Sequence, residues 1–515
     1  MNVEKFTADN YKRVSKLIDA TCSHMQFVIK KNYLYSNIDI CNRMAQILAM
    51  NLTEPILRKL NFIFIQKKEK NIKKLSIDNF SINFTSGLIQ ISRILLLKSA
   101  INFLFLWSYV FFLFLWSFIK RSSKTGKVIL IHGVPASEIS SESKIFEFER
   151  FCFEGPIKIL GGECHLVVQS IVPIESGSNP RFTYARYPLL KAISYKLISF
   201  NDLKRFFLIH CHVFYIFFKL IYKSSLASIL WRDFGLHSIA AFLNEDNLIK
   251  SNVITNTNWL NQFLWMTSLP SRNFETHMVL YSLNSSPLRF KKYPALSPHP
   301  SIKYLRADYI YIWHKAYIKV LQKEGINIKP IIVPPILWYL PENVPSIKSQ
   351  FTFRICIFDV TPMNKRGLKY RGMIGNYYSF NNVKKFILDI LFVTDEMSRL
   401  HKRLKFQITL KHKRIKHPNF DSEYIDYIND LSLARNNFKI ADPDSNLFNL
   451  IASHDLALVL PFSSPVFISD YLKVPSIFYD STGDLIYDKD VFPSSVKFSS
   501  DRKTLEAMLD DLISS

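Results

Sequence analysis

Asp455-Leu456-Ala457-Leu458-Val459-Leu460-Pro461-Phe462-Ser463-Ser464-Pro465 is the stretch that decides the fold. A short apolar run closed by Pro and Ser reads as a fully buried strand that ends in a loop. A helix over Val466 to Leu472 follows, then a second short strand from Val474 to Asp480. Upstream, a strand opening at Phe406 runs into a basic loop, Lys411-His412-Lys413-Arg414-Ile415-Lys416-His417-Pro418. The chain then passes through Ala441-Asp442-Pro443-Asp444-Ser445 into another helix. Strand, basic loop, helix, strand, serine loop, helix, strand is the order of a parallel α/β sheet with helices on its faces. Loops that follow parallel strands share one end of the sheet, and ligands bind there. One loop brings cations and a His; the other brings two hydroxyls ahead of a helix. Together they suit an anionic ligand, most simply a nucleotide phosphate.

Working outward, Phe353 to Pro362 starts this C-terminal domain, 351–515, with a strand and a turn. A basic loop from Met363 to Tyr378 and a helix from Asn381 to about Arg403 come next. No GxxxxGK[ST] phosphate loop occurs. The Pro-containing stretch Trp338 to Gln350 reads as a linker. Before it, residues 125–340 form a first α/β domain, with strands expected at Lys127–Gly133, Ile157–Gly162, His165–Val168 and Tyr309–Trp313. Polar and aromatic residues between Trp231 and Pro287, including Asn244-Glu245-Asp246, Asn256 to Trp259 and Tyr281 to Ser285, suit recognition of a polyol.

The first 99 residues are rich in Lys clusters and predict short helices, with no cleavable leader. Residues 100–119, AINFLFLWSYVFFLFLWSFI, carry no charge. Their length matches a bilayer core of about 30 Å, and they are expected to form a membrane anchor, a helix long enough to span the bilayer. Both flanks are basic (Lys98, Lys120, Arg121), so orientation stays open, as does an interfacial placement. A second apolar segment, Phe206 to Tyr222, is shorter and carries His210, His212 and Lys219, which suits a buried or membrane-apposed helix. The six Cys show no zinc spacing and fit a reducing compartment, so the α/β domains are expected in the cytoplasm. The net charge of +24 and pI near 9.6 favour anionic partners, nucleic acid among them. No nucleic-acid-binding signature appears, and nucleic acid is not the expected partner.

Within the loops, Lys411, Lys413 and Arg414 would offset phosphate charge and His417, fixed ahead of Pro418, would donate to phosphate or a nucleotide hydroxyl. Ser463 and Ser464 would present hydroxyls and backbone N–H groups to the same ligand. Asp442-Pro443-Asp444 has the spacing of a metal-binding DxD, but Asp444 or Ser445 is better placed to cap the helix Leu447–Ser453. No metal and no other cofactor is expected.

Pro461-Phe462-Ser463-Ser464 resembles the signature of the bacterial polysaccharide biosynthesis proteins named for a PFTS motif, with Ser463 in place of Thr. Phe358 to Pro362, Lys411 to Arg414 and Ala307 to Trp313 extend the likeness over roughly 125–500. The resemblance implies a role in making surface polysaccharide. The paired His-Pro and Ser motifs are also similar to those of GT-B sialyl-, polysialyl- and Kdo-type transferases. There the corresponding His and serines hold the nucleotide of a CMP-sugar. The acidic D/E-D/E-G motif of those enzymes is missing, and Arg232-Asp233-Phe234-Gly235 is its partial counterpart.

The expectation is therefore two Rossmann-like domains of GT-B type behind a helical, membrane-associated N-terminal region. The protein would transfer a sugar from a nucleotide-sugar, CMP-sugar favoured, to a glycan or lipid-linked acceptor. Asp233 is the expected general base, with Glu245 behind it. A binding or assembly protein without turnover is the alternative.

Overall fold

The computed structural model describes residues 3–28, 34–67, 72–120, 126–171, 174, 179–256, 261–282, 288–292, 303–342, 351–360, 362–364, 376–412 and 421–514. The N-terminal region differs from the expected short helices. It holds two long ones, α1 (Val3–Val28) and α2 (Asn37–Lys67), then an antiparallel meander of β1 (Lys74–Ile77), β2 (Phe80–Asn83) and β3 (Leu88–Ile91). Helix α3 (Arg93–Lys120) contains the uncharged stretch.

The first α/β domain runs β4 (Val128–His132), α4 (Glu142–Glu154), β5 (His165–Gln169), β6 (Phe182–Ala185), α5 (Pro188–Ala192), α6 (Phe200–Lys223), α7 (Trp231–Glu245) and β7 (Ile249–Thr255). It continues with α8 (Leu264–Ser268), β8 (Glu275–Val279), β9 (Arg289–Phe290), β10 (Tyr309–Ile312), α9 (Tyr317–Lys323) and β11 (Lys329–Ile332). Its seven-stranded sheet has the order β11-β10-β8-β7-β4-β5-β6, parallel throughout. Val128 to His132 is buried along its whole length, as a central parallel strand with helices on both faces must be. The strand expected at Ile157–Gly162 is a 3-10 turn instead, Lys158–Gly161. Pro156 ahead of it and Gly161-Gly162 behind leave room for a single turn, closed by Leu160 N–H to the Ile157 carbonyl.

The second domain runs β12 (Thr352–Phe358), α10 (Phe380–Leu400), β13 (Lys405–Lys411), α11 (Ser422–Ala434), β14 (Phe438–Ile440), α12 (Leu447–Ala452) and β15 (Leu456–Val459). It ends with α13 (Pro465–Leu472), β16 (Ser476–Tyr479), β17 (Leu485–Ile486), β18 (Val496–Ser499) and α14 (Arg502–Ser514). Its six-stranded parallel sheet is ordered β14-β13-β12-β15-β16-β18.

In both sheets the chain starts in the middle, winds to one edge, returns and winds to the other. This is the doubly wound Rossmann order, and each sheet has a switch point where the winding reverses. The switch points lie between β4 and β7 and between β12 and β15. The linker ties the domains together. Trp338 packs on Phe148 and Phe151 of α4, while the Leu340 carbonyl accepts from Asn446 and Glu342 N–H donates to Asn449. Elsewhere β9 and β17 pair antiparallel across the domains.

Candidate functional site

A cleft of about 520 Å³ lies between the two domains. It is walled by the loops that leave the carboxyl ends of β4, β7 and β8 on one side and of β12, β13 and β15 on the other. Both switch points therefore open into one space. From the second domain come Asp359, Lys411, His412, Ser463 and Ser464; from the first come Glu138, Lys144, Asn256, Tyr281 and Ser282.

The serine loop is held in an unusual backbone. Phe462 has φ of 69°, the left-handed region that a bulky residue rarely enters. Its ring lies 5.1 Å from Tyr377 and 5.8 Å from Phe290, and this packing fixes the turn. The turn sets Ser463 and Ser464 at the mouth of α13, with Pro465 in its first turn, where the lost N–H costs nothing. Ser464 occupies the N-cap position, yet its hydroxyl makes no capping bond. It sits 3.3 Å from the Ser282 hydroxyl of the other domain. The N-terminal amides of α13 carry partial positive charge toward this end.

Lys411 ends β13 and is buried, with Nζ donating to the Asp442 carbonyl at 3.0 Å and to the Pro443 carbonyl. Burial lowers its pKa, and the Asp442 and Asp444 carboxylates oppose that shift. The Asp442-Pro443-Asp444 turn is thus part of the lysine's seat. Asp442 Oδ1 accepts from Asp444 N–H at 2.8 Å, and Asp444 pairs with Lys144 of the first domain at 2.9 Å. The expected cap on Asp444 or Ser445 is corrected: Asn446 caps α12, accepting from Phe448 N–H and Asn449 N–H at 3.0 and 3.3 Å. Asn446 directly precedes the first helical residue, and its short amide reaches both N–H groups. Among the described residues, no group of three or more His, Cys, Asp or Glu is arranged to hold a metal ion.

Two half-buried carboxylates stand on the first-domain wall, Glu138 on a 3-10 turn (Ala136–Ile139) just after β4 and Glu147 on α4. Burial raises the pKa of Glu138 and the charge of Glu147 adds to that upward push, while the Ser137 hydroxyl at 3.3 Å and the Lys144 charge work the other way. Sequence reasoning passed over Glu138, because a lone Glu in a Ser-rich loop carries no periodic or motif signal.

The two expected catalytic carboxylates lie elsewhere. Asp233 is 1% exposed in the first turn of α7. Its Oδ1 accepts from Arg43 Nε at 3.0 Å and from Leu264 N–H at 2.7 Å. A carboxylate sealed by an arginine and a backbone amide has no path to an acceptor hydroxyl, so the assignment of Asp233 as base is corrected to a buried structural ion pair. Glu245 ends α7, half exposed, 3.5 Å from Arg205. Helix α7 runs back toward the amino edge of the sheet to enter β7, so Glu245 sits away from the cleft. The polar run around them is helical rather than a polyol-binding loop. Lys413, Arg414, His417 and Pro418 lie outside the described residues, as do Thr257 to Trp259 and Leu283 to Ser285.

Two doubly wound domains with facing switch points define a protein of GT-B, glycosyltransferase-like fold. More particularly, the chain belongs to the polysaccharide biosynthesis PFTS motif family, whose profile matches residues 213–509, more than half of its length. The match begins inside α6, later than the 125 expected from the motifs. A comparison with curated proteins finds no match. Among solved structures, the chain is similar to sucrose-phosphate synthase from Thermosynechococcus elongatus, at 12% identity and a TM-score of 0.38, over 76% of this chain and 90% of that one. A wall teichoic acid polymerase is similar at 12% identity and a TM-score of 0.36, over 76% and 82%. A trehalose-6-phosphate protein from E. coli bound with UDP-2-fluoro glucose is similar at 10% and 0.35, over 75% and 91%.

Proposed function

We propose that this protein is a glycosyltransferase of surface polysaccharide biosynthesis that moves a sugar from a nucleotide-sugar to a glycan or lipid-linked acceptor. The observation that carries this reading is the convergence of both switch points on one cleft, with hydroxyls and a buried cation on one wall and two carboxylates, Glu138 and Glu147, on the other. Lys411, Ser463 and Ser464 hold the donor phosphates. Lys413, Arg414, His417 and Pro418 continue the chain directly from His412 at the cleft wall, and on that continuity and the sequence resemblance they join the donor site. The acceptor enters against the first domain.

In the transfer step the acceptor oxygen forms a bond to the anomeric carbon, and the bond from that carbon to the phosphate oxygen breaks. The electron pair leaves with the nucleotide, stabilised by the lysine and the α13 amides. Glu138 takes the acceptor proton as general base. The domains would work in the cytoplasm, where nucleotide-sugars are available, and CMP-sugar is the donor to test first.

The test is a thermal-shift screen of the full chain against CMP, UDP, GDP and their sugar conjugates, since a ligand bound only by the folded state raises Tm. One nucleotide should stabilise the protein. Lys411→Met and Ser464→Ala should each weaken that nucleotide by roughly tenfold or more, the effect of losing one hydrogen bond to a charged group. A flat response to every nucleotide sinks the donor site and leaves a polysaccharide assembly protein without turnover.

A further inference from the structure

Helices α3 and α6 are both long and apolar enough to cross a membrane. They do not stand free. They run antiparallel, with Phe103 stacked on Phe217 at one end and Phe114 on Phe206 at the other. Both lie over α7: Phe114 meets Phe242 edge-on, and Leu106 fills the space above Gly235. Helix α7 is itself buried beneath the sheet of the first domain. A bilayer spanned by α3 would have to contain that domain as well, so lipid can reach only the outer face of the pair.

That outer face is apolar along α3, while on α6 exposed aromatics alternate with Lys204, His212 and Lys219. Leu97, Ile101, Phe105, Phe112, Trp116 and Ile119 form one stripe along α3, with Phe105 71% and Trp116 61% exposed. Helix α6 adds Phe207, Tyr215 and Tyr222. Helix α3 has no acidic residue, and Lys98 and Lys120 sit toward its ends. Aromatic rings with flanking cations are the composition of a helix lying in the membrane interface.

Where the C-terminal half of α3 meets β6 and α5, a pocket of about 700 Å³ opens. Trp116 of the stripe lines it, as does Tyr109, which is exposed beside the stripe. Lys120, Arg186 and Lys191 line it as well, and among the described residues no carboxylate does. Arg186 directly follows the carboxyl end of β6, so the pocket reaches the same edge of the sheet that faces the cleft.

We propose that this pocket seats the phosphate headgroup of a membrane lipid, with α3 and α6 lying in the plane of the bilayer surface and the lipid's hydrocarbon running out along their exposed face. The three cations neutralise the phosphate, and the shared aromatic wall guides the lipid from bilayer to pocket. The inference deepens the acceptor half of the transferase reading, for a lipid held here is a carrier presented at the acceptor side of the cleft.

The test is co-flotation of the full chain with phosphatidylcholine vesicles, plain or doped with phosphatidic acid or a long-chain isoprenyl phosphate. Doping should raise binding. The double variant Arg186→Glu/Lys191→Glu should lose about tenfold or more of that gain, given roughly 1 kcal/mol per surface cation. Both positions are exposed, so the variant should fold. Trp116→Ser should weaken binding to every vesicle. Alkaline carbonate should strip the protein from membranes, as it does for an interfacial helix pair. Preference for the isoprenyl lipid identifies a dedicated carrier, and equal response identifies bulk phospholipid; either supports the site. Unchanged binding by the double variant, or retention after carbonate, overturns the proposal. The nucleotide thermal shift, measured in parallel on the same variants, should persist, and its absence in the wild type would count against the donor reading alone.

Discussion

At the scale of single residues, access to the cleft separates structural charges from working ones: Lys411 and Glu138 line it, and Asp233 does not. Removing one partner of a buried pair leaves the other charge uncompensated, at a cost of about 3–5 kcal/mol. Asp233→Ala should therefore strand the Arg43 guanidinium and lower stability by about that amount in urea unfolding, with the surviving folded protein still binding nucleotide. Glu138 should behave in the opposite way. Glu138→Gln should leave Tm nearly unchanged and cut kcat by about a hundredfold or more, the usual worth of a general base. A base works only when deprotonated, and burial raises the pKa of this one. The acidic limb of the kcat–pH profile should thus lie above the ordinary carboxylate range and vanish in Glu138→Gln. Sequence pattern set Lys411, Ser463 and Ser464 at the strand ends that line the cleft, because each closes a buried strand or lies a few residues beyond one, and strand ends in parallel sheets are legible. It misplaced Asp233 because the partner that neutralises it stands 190 residues away, and no local pattern records a contact at that separation.

At the scale of elements, the central strands of the second domain and its helices α10, α12 and α13 were readable from apolar runs and their breakers, while α11 and α14 were not read. Nor was the meander β1–β3, since four-residue strands give too few alternations to stand out from loop. The fate of the uncharged stretch was also hidden. Its length announces a lipid partner, but only the packing of α3 on α7 shows that one face is already occupied. Gly235 is the point of closest approach: a Cβ built there would lie 2.6 Å from Leu106 Cδ2 and 3.0 Å from its Cγ. A larger side chain must push the helices apart, and overpacking of this kind costs about 1–3 kcal/mol. Gly235→Leu should lower Tm and expose apolar surface that binds a hydrophobic dye, whereas Gly162→Leu, where a Cβ meets nothing within 4 Å, should do neither.

At the scale of the whole molecule, the parts are bound into one body. Arg43 and Gln46 of α2 reach into the first domain, Gln46 donating to the Gln262 side chain and to the Tyr304 carbonyl at 2.9 and 2.7 Å. The first domain is joined to the second by the linker and by the β9–β17 ladder, beside which Lys323 pairs with Asp488 and Lys319 with Asp490. Calorimetry should show a single unfolding transition for the full chain, and Lys291→Pro, which removes the N–H that donates to the Asp484 carbonyl at the end of the ladder, should split it in two. The ladder also bears on how the cleft moves. A rigid body pinned at two separate places keeps one rotation, about the line through the pins. The linker seam and the ladder are two such places, so the motion they leave to the halves is a rocking about the axle through them, with the cleft opening on the flank away from that axle.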